Sequence, residues 1–407
     1  MKKNLWLSAL VGVALTGCVN DDVVTDAGLK QEMLFGTPAL KTQTRANILG
    51  EISGTESYGG TETSPAENFK VFAWTYKSTD AYSAGLWDNN GLSPFFNSQG
   101  EEAHKGETYW ATSITHYWPG AAFNLLFAAY SPATFDVKMK NSEGVLETVE
   151  STDEKPIVEF TPEITFDATG ITIKNFEVQS VADYQYDLMY SDYAIGRNIT
   201  NNGKSAVNLQ FNHALSSIIF SAQAPSAATQ TEITYKIVDA QLVGEFVTKG
   251  TFKQNIDVVN DGGEKIGPAW EFTETDKEDC NYAPTFNPVE LKTNEPVQFT
   301  SGRSAMLLIP QKVPTGAVLR LTYEKKSSTS TLSNTVDIPL NEFVASKEVD
   351  GVNQDYVIDE WKPGYRYVYR VAFGENQPIY FNPSVTTWKD EPAAIYTIKY
   401  ETPAENN

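Results

Sequence analysis

The chain has 407 residues and a formal charge of −21, from 52 acidic against 31 basic side chains. That balance argues against binding to nucleic acid and against adsorption on anionic membranes. Two cysteines and three histidines exclude a zinc site built from several cysteines, and the length suffices for two or three domains.

The first residues set the compartment. Lys2 and Lys3 precede an apolar run at residues 5–15 that is too short to span a bilayer as a helix. The run ends in Leu15-Thr16-Gly17-Cys18, a lipobox pattern that predicts cleavage before Cys18 and lipidation of its thiol and new amine. Several acyl chains, at about 0.8 kcal/mol per buried methylene, make a durable anchor. With Cys18 carrying lipid, Cys280 has no intramolecular disulfide partner. No later apolar stretch reaches transmembrane length.

Residues 19–50 are polar and extended, and Phe35 is their only aromatic residue. Within them Glu32-Met33-Leu34-Phe35 reads as one short strand. Residues 69–76 are aromatic and β-branched, as a strand requires. Residues 123–130 form a nearly continuous apolar run stopped by Ser131-Pro132, the pattern of a strand buried on both faces. Leu319, Leu321 and Tyr323 alternate with polar residues. Tyr365, Tyr367, Tyr369, Val371 and Phe373 also alternate, so each stretch predicts a strand with one face toward a core. Turn clusters such as Asp88-Asn89-Asn90-Gly91, Asn201-Asn202-Gly203 and Asp261-Gly262-Gly263 separate the strands. No long amphipathic helix stands out. Short strands with frequent turns predict an all-β chain of sandwiches. Residues 196–204 are the best linker, which divides the chain near residue 203.

Catalytic patterns are scarce. His104, His116 and His213 belong to no metal-binding pattern. His213, in phase with Val207, Leu209 and Phe211, reads as a hydrogen-bonded core or interface histidine rather than a ligand or base. Gly203-Lys204-Ser205 resembles the end of a phosphate-binding loop, but Asn198 stands where the first glycine belongs. Asn198-Ile199-Thr200 is a formal glycosylation sequon, uninformative behind a bacterial lipobox. Asp350, Asp355, Asp359 and Glu360, and likewise Glu274, Asp276, Glu278 and Asp279, read as solvated acidic loops. Neither set follows EF-hand calcium spacing.

Several phrases together resemble the fimbrillin family of type V pilus subunits. They are Tyr117-Trp118-Pro119, Phe127-Ala128-Ala129-Tyr130-Ser131-Pro132 and Asp187-Leu188-Met189-Tyr190, then Leu209-Gln210-Phe211-Asn212-His213-Ala214-Leu215-Ser216. Trp361-Lys362-Pro363-Gly364-Tyr365-Arg366-Tyr367-Val368-Tyr369 and Ile379-Tyr380-Phe381-Asn382-Pro383 followed by Ser384-Val385-Thr386-Thr387-Trp388 complete the set. Asp21 and Asp22, just after the lipobox, look like the family's surface-exported lipoproteins.

The resemblance implies two tandem transthyretin-like Greek-key β-sandwich domains. It also implies export as a lipoprotein to the outer membrane and cell surface, and no cofactor. In stalk-type members an arginine-specific surface protease cuts near the N-terminus, removing the lipid and the first strand, and another subunit donates a strand to the vacated groove. Such a sandwich exposes unpaired backbone groups beside an apolar trough, and a donated strand answers both. Thr44-Arg45-Ala46 falls where the cut is expected. Met33, Leu34 and Phe35 would be the released strand. Ile395, Tyr396, Thr397 and Ile398 have the composition of a donor strand or, equally, of the last internal strand.

The expected organisation is a signal peptide at 1–18, a pro-segment at 19–45, and sandwiches at 46–203 and 204–407. The expected role is a non-enzymatic structural subunit of a surface fimbria serving adhesion. Its partners would be other pilin subunits and the protease, and the membrane would be touched only through lipid. Arg45 favours a stalk or tip subunit over an anchor. A surface glycan-binding β-sandwich lipoprotein is the alternative from another class.

Overall fold

The computed structural model describes residues 31–35, 39–40, 68–105, 109–135, 138–140, 146–148, 160–202, 206–225, 233–284, 286–292, 295–300, 305–349, 352–373, 380–381 and 384–387, and singly Glu150, Thr152 and Ile157. The fold is nearly all β. Among the described residues the α-helices are single turns, Gly85–Asp88 and Ile199–Asn202.

The first sheet follows the order Ala39–Leu40, Gln210–His213, Met189–Ser191, Phe123–Ser131, Asn68–Lys77, Glu101–Lys105 and Trp110–Thr112. Ala194–Arg197 adds to Phe123–Ser131, and Ser93–Pro94 to Asn68–Lys77. The central strands are buried on both faces, as the apolar run at 123–130 predicts. Phe69, Val71 and Ala73 join Phe127 and Ala129 in one core. The intervening Phe72 and Trp74 pack on Phe166 from a second sheet, with ring centroids 4.5 and 5.4 Å away. That second sheet runs Ala269–Glu271, Lys249–Lys253, Gly170–Glu177 and Glu163–Asp167, so it draws strands from both sides of residue 203.

Ser216–Gln223 pairs in parallel with Tyr365–Ala372 at the centre of a third sheet. A fourth sheet is ordered Lys277–Tyr282, Thr234–Val247, Val318–Lys326 and Thr331–Pro339. Ile218, Phe220, Tyr369, Leu242, Phe246, Leu319 and Leu321 from these two sheets share one core. Alternation at 365–373 holds less strictly than expected. Val368 is buried along with Tyr367, Tyr369 and Val371, so both faces of this part of the strand are covered. Tyr323 and Tyr365 are only half-buried.

The linker candidate contains a folded turn. Asn198 Oδ1 accepts from the backbone N–H of Thr200 and Asn201 at 2.9 and 3.0 Å, and Asn201 Nδ2 donates to the Gly196 carbonyl at 2.7 Å. This is how an asparagine caps a short helix. Residues 203–205, with the phosphate-loop-like Gly203-Lys204-Ser205, lie outside the described residues.

Candidate functional site

Residues 31–35 form a short extended segment held on both sides. On one side Phe35 and Trp110 exchange backbone hydrogen bonds, each 2.8 Å. Met33 N–H donates to the His116 carbonyl at 2.8 Å, and Trp118 N–H to the Gln31 carbonyl at 3.0 Å. On the other side Val207 N–H donates to the Leu34 carbonyl at 2.8 Å. Further along, Ala39 and Leu40 pair in parallel with Gln210 and Phe211. The N-terminal stretch therefore joins Trp110–Thr112, at one end of the first sheet, to Val207 and Gln210–His213 at the other.

Its side chains alternate as a strand's must. Met33 and Phe35 point inward and are 1% and 0% exposed, while Glu32 is exposed and Leu34 half-buried. The Phe35 ring meets Phe69 and Phe127 edge-on, at centroid distances of 6.1 and 5.7 Å. Trp110, Trp118, Leu125, Val207, Leu209 and Phe211 complete the core around Met33 and Phe35. Burying two such side chains contributes about 1.5–3 kcal/mol each, and each backbone bond adds roughly 1 kcal/mol net. Without the segment, an apolar trough lined by aromatic rings would stand open between two unpaired strand edges.

The other sequence candidates are dispersed. His104 is exposed and 3.1 Å from Ser113 Oγ. His116 lies against the Phe96 ring, with centroids 4.3 Å apart; burial holds its pKa below the ordinary value, partly offset by Glu101. His213 Nδ1 is 2.5 Å from Asp187 Oδ2, with side chains 4% and 0% exposed. It is thus a paired core histidine, as its phase with Val207, Leu209 and Phe211 implied. Among the described residues, no three His, Cys, Asp or Glu side chains are grouped to hold a metal ion. Asp276 caps a short turn by accepting from Thr273 N–H and Oγ1 at 2.7 and 2.8 Å, and Glu274 pairs with Lys277 at 2.7 Å. Cys18, Arg45, Ala46, Ile395, Tyr396, Thr397 and Ile398 lie outside the described residues.

Sequence reasoning missed Asp187 as His213's partner. The signal was an acidic residue directly before the apolar Leu188-Met189-Tyr190, where a charge must find a partner if the strand is buried.

Compared with known families, residues 55–388 match the family described as fimbrillin-like. The chain belongs to the fimbrillin-like family. Among solved structures, this fimbrillin-like chain is similar to a fimbrial protein from Bacteroides vulgatus, with 18% identity and a TM-score of 0.49, covering 79% of this chain and 93% of that one. It is also similar to a protein assigned to cell adhesion from Bacteroides uniformis, with 11% identity and a TM-score of 0.45, covering 90% and 100%. A third is the tip fimbrial protein Mfa3 of Porphyromonas gingivalis with C-terminal truncation, with 10% identity and a TM-score of 0.30, covering 88% and 100%. No curated protein matches the sequence.

Proposed function

We propose that this chain is a structural subunit of a cell-surface pilus, and that it assembles by exchanging residues 31–35 for a strand of another subunit. Family membership supports the pilus role. The observation that carries the exchange is the pairing of residues 31–35 on both sides, with Met33 and Phe35 buried in the first core. These residues lie shortly before Arg45, so a cut after Arg45 would leave them held only by non-covalent contacts. A strand of similar alternation from a second copy then restores both the backbone pairing and the buried rings.

In this reading Cys18 carries the lipid that brings the precursor to the outer membrane. An arginine-specific protease produces a chain starting at Ala46, and residues 395–398 supply the donated strand. Two tandem transthyretin-like sandwiches are the frame for that exchange, with Gln210–His213, beyond residue 203, still part of the first sheet. Adhesion is the role of the finished fimbria, and the subunit needs no catalysis.

The test is assembly of the purified precursor after limited digestion with an arginine-specific protease. Wild type should convert to a species beginning at Ala46 and then form ladders resistant to mild detergent. Arg45→Ala should remain folded and monomeric. Ladders from Arg45→Ala equal to those of wild type would refute the exchange.

A further inference from the structure

Away from the N-terminal segment, a cleft of about 680 Å³ opens between the ends of Met189–Ser191 and Gln210–His213, the loop at 254–268 and the turn at 360–365. The volume falls in the range of sites that take small ligands, about 300–1,000 Å³. We propose that this cleft binds a neutral oligosaccharide. The inference goes beyond the pilus reading and does not depend on strand exchange.

Three donor–acceptor pairs line it. Asn212 Nδ2 donates to Asp192 Oδ1 at 3.1 Å, Lys265 Nζ to Asp257 Oδ1 at 2.6 Å, and Lys362 Nζ lies 3.9 Å from Glu360 Oε2. Each pair sets a hydrogen-bond acceptor beside a donor, which suits hydroxyl groups that both give and take a proton. The charges of these pairs nearly cancel within a chain of net charge −21, a field that disfavours anionic ligands. Polar groups at this spacing without a dominant charge fit a polyhydroxylated neutral chain better than a phosphate, a sulfate or a charged peptide.

An apolar face accompanies them. Tyr365 lines the cleft half-buried, with its ring stacked on Tyr367 at 6.5 Å and 28°. Rigid aromatic rings give contact area at low entropic cost and suit the C–H faces of sugar rings.

The loop wall is pre-formed. Asn255 and Asp257 both hold positive φ, at 55° and 54°, the left-handed conformation that Asn and Asp adopt most readily among residues with side chains. Backbone bonds from Ile256 N–H to the Thr169 carbonyl at 2.7 Å, and from Ile266 N–H to the Val258 carbonyl at 2.8 Å, fix the loop. A site that need not be ordered on binding keeps more of its contact energy.

The test is binding of the full-length Arg45→Ala chain to a printed panel of neutral and acidic oligosaccharides, followed by calorimetry on the best neutral hit. Binding should be confined to neutral glycans and should weaken at least tenfold in Tyr365→Ala and in Asn212→Ala. Lys265→Ala, at a side chain 76% exposed, keeps the test independent of folding and should weaken binding severalfold. Absence of any neutral hit would overturn the proposal, as would affinity unchanged in all three variants. Capture of peptides from a parallel peptide array, lost in the same variants, would replace the sugar by an extended peptide and equally overturn it.

Discussion

Asp187 Oδ2 lies 2.5 Å from His213 Nδ1, and both side chains are closed off from solvent. His213 ends the strand Gln210–His213 and pairs with Met189, so Asp187 approaches it from just before the neighbouring strand. The charge of Arg366, on Tyr365–Ala372 of the third sheet, also acts on Asp187. Three phrases far apart in sequence thus meet where the first and third sheets adjoin. Breaking such a buried pair leaves the remaining groups uncompensated, and Asp187→Ala should cost about 3–5 kcal/mol in urea unfolding.

The same carboxyl gives a pH dependence with a definite sign. Burial holds the Asp187 pKa above the ordinary carboxylate value, opposed by His213 and Arg366. Between the unfolded value, about 3.9, and the raised folded value, the native chain keeps a proton that the unfolded chain has lost. This carboxyl therefore contributes stability at low pH that is lost as pH rises through that window. Asp187→Asn cannot titrate. Urea midpoints measured from pH 4 upward should shift in favour of the variant, relative to wild type, as pH increases. A constant difference would remove the linkage.

Gly170 opens the strand Gly170–Glu177 with φ of 104°, and a Cβ there would sit 2.5 Å from Gln254 Oε1. That oxygen accepts the Ile171 N–H at 3.0 Å, and Gln254 Nε2 donates to the Ser191 carbonyl at 3.3 Å, tying the second sheet to the first. Gly170→Ala should destabilise by about 2 kcal/mol or more, through strain and displacement of this amide. At Gly120 nothing lies within 4 Å of an added Cβ, so Gly120→Ala should change stability by less than about 0.5 kcal/mol.

Burial pushes the Cys280 thiol up to about 12. Only the thiolate attacks a disulfide reagent. In native protein at pH 8, Cys280 should therefore react far more slowly with an aromatic disulfide than in urea. Equal rates in both would show that the thiol is open to solvent.

The outline of the fold was legible because its central strands are apolar enough to identify themselves. The run at 123–130 marked a doubly buried strand, and the alternation at 319–323 marked the inward Leu319 and Leu321. Partnerships were not legible. Gly170–Glu177 pairs with Lys249–Lys253 across a long separation, and a half-buried pattern in each strand names no partner. A bulge between Ile237 and Asp239 also shifts the alternation of Thr234–Val247, so that Ala240 rather than Asp239 turns inward after Ile237. In the candidate site, Phe35 stood out as a lone aromatic in a polar segment, which marked it for burial. The strands that hold it, around Trp110 and Val207, could not be inferred because backbone pairing depends little on side-chain identity.

Phe35 also sets how tightly the segment is held. Phe35→Ala removes a fully buried ring and should lower precursor stability by about 3–5 kcal/mol. In a cut chain it should speed assembly, because the outgoing strand then leaves more readily.

Strand exchange requires that residues 31–35 be replaced rather than retained. Mass spectrometry of detergent-resistant ladders, excised after cleavage at Arg45, tests this directly by detecting the peptide that contains Met33 and Phe35. Cleaved monomer should still carry that peptide, and ladders should lack it at every interior subunit. Ladders that retain the peptide one-to-one with subunits would contradict strand exchange.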